Sequence, residues 1–380
     1  MTETTTKQAG NAPAPTALGP FRSGTQGTLS QDGYVNTTTP GSGTQQLPNY
    51  TPSSNYLIRG IYIQSQATSS GNSVSGVAFN GDMPLGLYST IEFDDTGGNP
   101  VIGPFDSYTL GMVNKYGGYQ TNGDPRNSAV YSAVTGNGTS AGSFSQVLFV
   151  PIEAVTRTGL GSLMNTSSDS TYTLQLTMNT SAAIYSTAPT TVPAVTTKCY
   201  LSGWWKGQNA SASPTPRLVG STQYHVRGTY NSLNGAQQFQ VKQGLGQAIR
   251  NVYLLNYDVS SGNRSSSDFP DPFQWIYKGT NLVNWSKNIW QDQMSRQWGL
   301  SNATLDAANG LDTGVFVYSF ANDFGNKPGE EIGSSYLLTA QGDMNQFVGS
   351  WGGNSKLYVV VNYMASVTGN NTSFVPSAGQ

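Results

Sequence analysis

Charge is scarce in this chain. Lys, Arg, Asp and Glu together make up 10% of its 380 residues and leave a net charge of −2. Without a basic stripe there is neither a nucleic-acid footprint nor an electrostatic membrane patch, and no direct nucleic-acid partner is expected. Cysteine occurs once, as Cys199, which excludes an intrachain disulfide and reads as a small buried apolar residue. Histidine also occurs once, as His225, so any imidazole-dependent nucleophile and base must use it. One His and one Cys cannot assemble a zinc site of the usual ligands within a single chain. No apolar run approaches the roughly 18–20 residues a spanning helix needs. Residues 1–30 lack a basic n-region and an apolar h-region, so the chain is expected to be soluble when made, with no readable export signal.

Gly, Ser, Thr, Asn and Gln dominate instead, which fits many short strands joined by polar turns. Period-two alternation marks Tyr56 to Tyr62, with Tyr56, Ile58, Gly60 and Tyr62 on one face and Leu57, Arg59 and Ile61 on the other. Thr171 to Met178 alternates likewise, and Val315 to Phe320 and Lys356 to Met364 read as buried strands. From Leu282 through Trp285, Ile289, Trp290, Met294 and Trp298 the apolar spacing predicts one helix of about four turns, stopped by Gly299. It is expected to plug an open barrel end, or else to offer a groove to an apolar partner.

Some stretches recur in the same order at an offset of about 165 residues. Tyr56-Leu57-Ile58-Arg59-Gly60-Ile61-Tyr62 reappears as Tyr224-His225-Val226-Arg227-Gly228-Thr229-Tyr230. Ile91 to Asn99 reappears as Leu255 to Asn263, and Val147 to Val150 as Val315 to Tyr318. The second pair places Gly98 and Gly262 where a tight reversal needs positive φ, after an Asp that can bond its own backbone. The expectation is a duplicated domain, with the Tyr56 and Tyr224 segments as equivalent opening strands. His225 then takes the place of Leu57 and is expected to be a dispensable packing or surface residue. Residues 1–52 read as a flexible N-terminal arm, 53–210 as the first unit, 211–367 as the second and 368–380 as a tail. Pro-Thr-Pro at 214–216 is the expected linker.

Chemistry is thinly represented. Asp94 with Asp95, Asp268 with Asp271, and Glu330 with Glu331 are carboxylate pairs in polar loops, open to hydrolytic use or to a calcium ion without regular EF-hand spacing. Gly244-Leu245-Gly246 is too short for a phosphate loop. No catalytic, cofactor-binding or metal-ligating residue is assigned, and no cofactor is expected. Trp204 and Trp205 beside Gly203 and Lys206, and Tyr116 near Tyr119, are the aromatic candidates for sugar stacking, although packing also claims such residues.

Over residues 54–366 the order of segments resembles the double jelly-roll major capsid proteins of tailless icosahedral phages with an internal membrane, the tectivirus-like family. Val147-Leu148-Phe149-Val150-Pro151, then Thr158-Gly159-Leu160, Asn165 and Tyr172-Thr173-Leu174-Gln175-Leu176 look like the first half of such proteins. Gly314-Val315-Phe316-Val317-Tyr318 resembles a strand of the second half. The resemblance implies an all-β protein of two tandem eight-stranded jelly rolls, with one short helical insertion and irregular terminal arms. It further implies a homotrimer forming a pseudo-hexagonal capsomer of an icosahedral virion, built over an internal lipid membrane. Its partners would be neighbouring capsomers, penton and minor capsid proteins, with the membrane or its proteins as a further contact. It would reside in the virion, and in host cytoplasm during assembly. Family members can open with a Gln- and Ala-rich helix on the membrane side, whereas Pro13 and Pro15 lie in an irregular arm here. The alternative is a tandem β-sandwich that binds carbohydrate or a receptor.

Overall fold

The computed structural model describes residues 25–54, 56–68, 76–119, 124–136, 138, 142–154, 161–165, 171–206, 222–298, 312–320 and 337–365. The first half carries β1 (Thr25–Thr38), β2 (Gln45–Gln46), β3 (Tyr56–Thr68), β4 (Ala78–Phe79), β5 (Tyr88–Asp94) and β6 (Pro100–Phe105). It continues through α1 (Ser107–Tyr116), β7 (Ser132–Val134), β8 (Ser143–Pro151), β9 (Leu163–Asn165), β10 (Thr173–Met178), α2 (Ser181–Ile184), β11 (Tyr185–Thr187) and β12 (Val195–Lys206). The second half carries β13 (Gln223–Gln240), β14 (Ala248–Asp258), β15 (Phe273–Tyr277), β16 (Thr280–Trp285), α3 (Lys287–Trp298), β17 (Val315–Ser319), β18 (Leu337–Leu338) and β19 (Asn345–Met364).

Pairing defines two jelly rolls of eight principal strands. In the first, one sheet runs β1-β12-β3-β8 and the other β6-β5-β10-β2. Counted along the roll, these orders are first-eighth-third-sixth and fifth-fourth-seventh-second. The second roll repeats both, because β13 and β19 each serve twice. Residues 223–230 and 355–364 pair in the sheet that continues through β14 to β17, whereas 235–240 and 345–351 pair in the sheet that continues through β15 to β16. Register shifts between Tyr230 and Gly235 turn the long strand from one sheet to the other.

The core lies between the sheets. Leu174, Leu176 and Met178 face inward from β10 against Ile61 and Ile63 of β3 and Leu201 of β12, all fully or almost fully buried. Burial of that kind contributes about 1.5–3 kcal/mol per large side chain. Tyr88 of β5 crosses the gap and satisfies its hydroxyl at Ser65 (2.8 Å) and Thr197 (2.6 Å) of the facing sheet. Cys199 is buried, as expected. The alternation read for Tyr56 to Tyr62 flips midway, with Ile58, Ile61 and Ile63 buried and Tyr62 half-buried. A register shift opposite, between Ser202 and Gly203, inserts the extra residue that reverses the faces.

Three expectations need correction. Residues 25–52 are not part of an irregular arm: β1 and β2 are the first and second strands of the first roll, β1 pairing with β12. Apolar alternation is absent there because neither face of β1 is buried. Its backbone ladder holds it, together with Tyr34 against Tyr50 (5.5 Å between rings) and Asp32, which accepts from the Tyr50 hydroxyl at 2.8 Å. Second, the helix begins only at Lys287, since Leu282 and Trp285 belong to β16. Third, the Tyr56 and Tyr224 segments are not equivalent opening strands. The former lies in β3, the third strand of its roll, and the latter in β13, the first of the other.

Their likeness has a local cause, because the first and third strands flank the eighth on opposite sides. Arg59 stacks on Trp204 of β12 at 4.3 Å, and Arg227 on Tyr358 of β19 at 4.6 Å. The same side-chain pattern therefore answers to the same neighbour in both rolls. The Ile91 and Leu255 segments also sit at different places, after the fourth and third strands. There Asp95 and Asp258 each accept backbone N–H groups, and Gly98 and Gly262 have φ of 77° and 71° as expected. Only the Val147 and Val315 segments are equivalent, both being sixth strands. Residues 1–24, the linker at 207–221, Glu330, Glu331, Gly299 and the tail lie outside the described residues.

Candidate functional site: the seam between the rolls

The richest side-chain chemistry lies where the two rolls meet. β6, the outer strand of its sheet, runs beside β13 in parallel, with His225 opposite Ile102. The chain then enters α1, capped by Asp106, whose carboxylate accepts from Thr109 N at 2.8 Å. Every residue of α1 is buried, because the helix is wedged against β8 on one side and the second roll on the other.

Four ionic groups form a closed cluster at its end. Lys115 Nζ, fully buried, donates to Asp124 at 2.8 Å and to Asp312 of the second roll. The Arg126 guanidinium binds the same two carboxylates at 2.6 and 2.8 Å. The Tyr116 hydroxyl donates to Asp312 at 2.5 Å. Burial pushes the Asp124 carboxyl up, but Arg126 and Lys115 outweigh it and hold it well below the usual carboxylate range. Two cations and two anions cancel, so this is a neutral clamp in which each charge is multiply hydrogen-bonded.

Further links spread along the seam. Arg264 lies over the Tyr108 ring at 4.1 Å and pairs with Asp82, and Trp298 Nε1 of α3 donates to the Tyr116 carbonyl at 3.0 Å. Gln223 accepts from Tyr119 (2.8 Å) and Arg250 (2.6 Å) and donates to the Pro151 carbonyl at 3.1 Å. His225 is fully buried with its ring near Tyr119. Burial, and then Arg250, push its pKa down to about 3. It is therefore a neutral packing residue, and its surface placement is excluded.

The sequence candidates are dispersed. Asp94 is buried and accepts from Gln175 at 2.6 Å, Asp95 caps its turn, Asp268 accepts from Ser265 at 2.6 Å, and Asp271 accepts from Lys287 N at 3.3 Å. Among the described residues no three His, Cys, Asp or Glu side chains gather as metal ligands. Tyr116 is buried, Tyr119 is engaged in the seam, and Trp204 lies under Arg59, which leaves Trp205 as the exposed member of the sugar-stacking candidates. The clamp residues Lys115, Asp124, Arg126 and Asp312 went unnoticed in the sequence. Their only signal is that charges are rare, and that three of them stand within a dozen residues of one another.

No family model matches the chain, and no curated protein matches it. Solved structures do. The atomic structure of Sulfolobus Turreted Icosahedral Virus contains a chain 12% identical with a TM-score of 0.64, covering 92% of this chain and 94% of that one. The major capsid protein P2 of Bacteriophage PM2 is 10% identical with a TM-score of 0.52, covering 90% and 100%. The PBCV-1 VP54 structure, fitted into a reconstruction of the virophage Sputnik, is 10% identical with a TM-score of 0.53, covering 90% and 94%. These are double jelly-roll capsid proteins. At such identities the likeness is one of fold, and it extends over both rolls.

Proposed function

We propose that this chain is a structural shell protein, the major capsid protein of an icosahedral virion. The observation that carries the reading is a double jelly roll whose two halves are clamped together by buried charge, in a fold that viral capsid proteins match over 90% and 92% of the chain. Two fused rolls let three chains present six similar columns, and a homotrimer of that outline tiles a shell. Neighbouring capsomers, penton and minor capsid proteins are its partners, and an internal membrane lies beneath the shell. The virion is its location, with host cytoplasm as the place of assembly. The role is structural rather than enzymatic, with no catalytic residue and no cofactor. In this reading residues 25–206 belong to the first roll and 222–365 to the second. Engagement of Tyr116, Tyr119 and Trp204 in packing favours this reading over a sugar-binding tandem sandwich. Sedimentation equilibrium tests it: a species of three times the 40.4 kDa chain mass is expected, and a monomer at all micromolar concentrations would reject it.

A further inference from the structure

The clamp holds a primary amine against a carboxylate where neither meets water. The side chains of Lys115 and Asp312 are both 0% exposed, and they come from different rolls, 197 residues apart in the chain. A second carboxylate, Asp124, touches the same amine at 2.8 Å. The two carboxylates are not held alike. Arg126 binds Asp124 through its Nε at 2.8 Å, its Nη2 at 2.6 Å and its backbone N–H at 2.9 Å, and it meets Oδ1 of Asp312 through Nη2 at 2.8 Å. Asp124 is thereby kept as the anion. Oδ2 of Asp312 faces the Lys115 amine and the Tyr116 hydroxyl instead.

We infer that Lys115 and Asp312 condense into an isopeptide bond that joins the two rolls covalently, with Asp124 as the proton carrier. The atoms balance without a co-reactant. One proton of the ammonium passes to Oδ2 of Asp312, leaving an amine and a carboxylic acid. The amine lone pair adds to Cγ of Asp312, and the negative charge that forms on Oδ1 lies where Arg126 already donates. Nζ gives a second proton to Asp124, which returns it to Oδ2. The Cγ–Oδ2 bond then breaks, Oδ2 leaves as water with both protons, and Nζ keeps the one proton of an amide.

Physical chemistry favours this outcome in three ways. Burial penalises separated ions, which assists the neutral amine and acid at the expense of the ion pair. The product still sums to zero charge, because Arg126 and Asp124 remain a pair, and the site holds two ions where it held four. Two groups fixed in contact also react at an effective concentration of about 10⁵–10⁸ M. α1 supplies that fixity on the lysine side, since every one of its residues is buried. The bond would tie the rolls together in a chain whose single cysteine provides no disulfide. It goes beyond the shell reading and does not depend on it.

Intact mass spectrometry of the denatured full-length chain tests the inference. The wild-type chain should be lighter than its sequence mass by one water, and its tryptic digest should contain one branched peptide that carries both Lys115 and Asp312, uncleaved at Lys115. Lys115→Arg should have its full sequence mass. Asp124→Asn keeps the amine and its partner but removes the proton carrier, and should lose water about 10²–10⁴-fold more slowly. The branched peptide is read in the wild-type chain, so the test does not depend on either variant folding. A wild-type chain of full mass with Lys115 in a linear peptide would overturn the bond, and so would a missing water that maps to other residues or persists in Lys115→Arg. The shell reading, which is tested by association, would stand in each of those cases.

Discussion

The two rolls share one strand order but differ in what covers their fifth-strand helix. In the first roll α1 is sealed beneath the second roll, and its terminal lysine is neutralised by Asp124 and by Asp312 from across the seam. In the second roll α3 presents Asp292 and Arg296 to solvent as an i,i+4 pair at 2.8 Å, with side chains about half or more exposed. The same topological position is thus buried throughout in one half and buried only at Trp290 and Met294 in the other, where Trp298 at the helix end still reaches the joint. Two fused rolls behave as one rigid block only if the joint is strong, whereas a surface used for assembly must stay available.

The largest effect expected on this comparison comes from truncation. Removing residues 1–48 deletes β1 and β2 and strips the edge of β12, so the first roll should lose cooperative unfolding while the second retains it. Calorimetry would show one transition surviving, and an unaltered two-roll profile would mean that β1 contributes nothing to the fold. Next comes the joint itself. Asp312→Ala leaves Lys115 and Arg126 sharing one carboxylate in a buried site and should cost about 3–5 kcal/mol in urea unfolding. The matching change on the outer helix, Asp292→Ala, should cost no more than about 0.5 kcal/mol. Equal losses would abolish the distinction between joint and surface.

The repeated glycines sharpen the comparison at a smaller scale. A Cβ on Gly60 would lie 2.2 Å from the Phe149 ring and 2.7 Å from the Val150 carbonyl, whereas one on Gly228 would meet chiefly the movable amide of Gln243. Gly60→Ala should therefore cost about 1–3 kcal/mol and Gly228→Ala less than about 1 kcal/mol, measured by denaturant midpoints.

The seam also carries a pH signature. His225 has a folded pKa near 3 against an unfolded value of 6.5, so the unfolded chain binds the extra proton between those limits. Its contribution is complete above pH 6.5 and is lost as pH falls toward 3, at up to about 1.4 kcal/mol per pH unit. His225→Leu should flatten the stability profile in that window. An unchanged slope would show that the imidazole is not buried in the neutral form.

Much of this fold was legible from alternation alone. β10, β17 and the later part of β19 have apolar residues at buried positions, and the turns at Asp95 and Asp258 carry their own chemistry in Asp and Gly. β1 was illegible for a physical reason: an edge strand with two wetted faces has no hydrophobic period to display. Arg59 and Arg227 misled because a strand beside the eighth strand meets the same aromatic neighbour from either flank. The clamp was illegible because its members come from α1, from the segment around Asp124 and Arg126, and from Asp312 almost two hundred residues away. Spacing in sequence does not encode such a meeting.

Electron microscopy of the purified full-length chain tests the shell role most directly. The account predicts blocks of hexagonal outline built from three chains, and closed shells as concentration rises. A field of separate two-lobed monomers under all assembly conditions would contradict it.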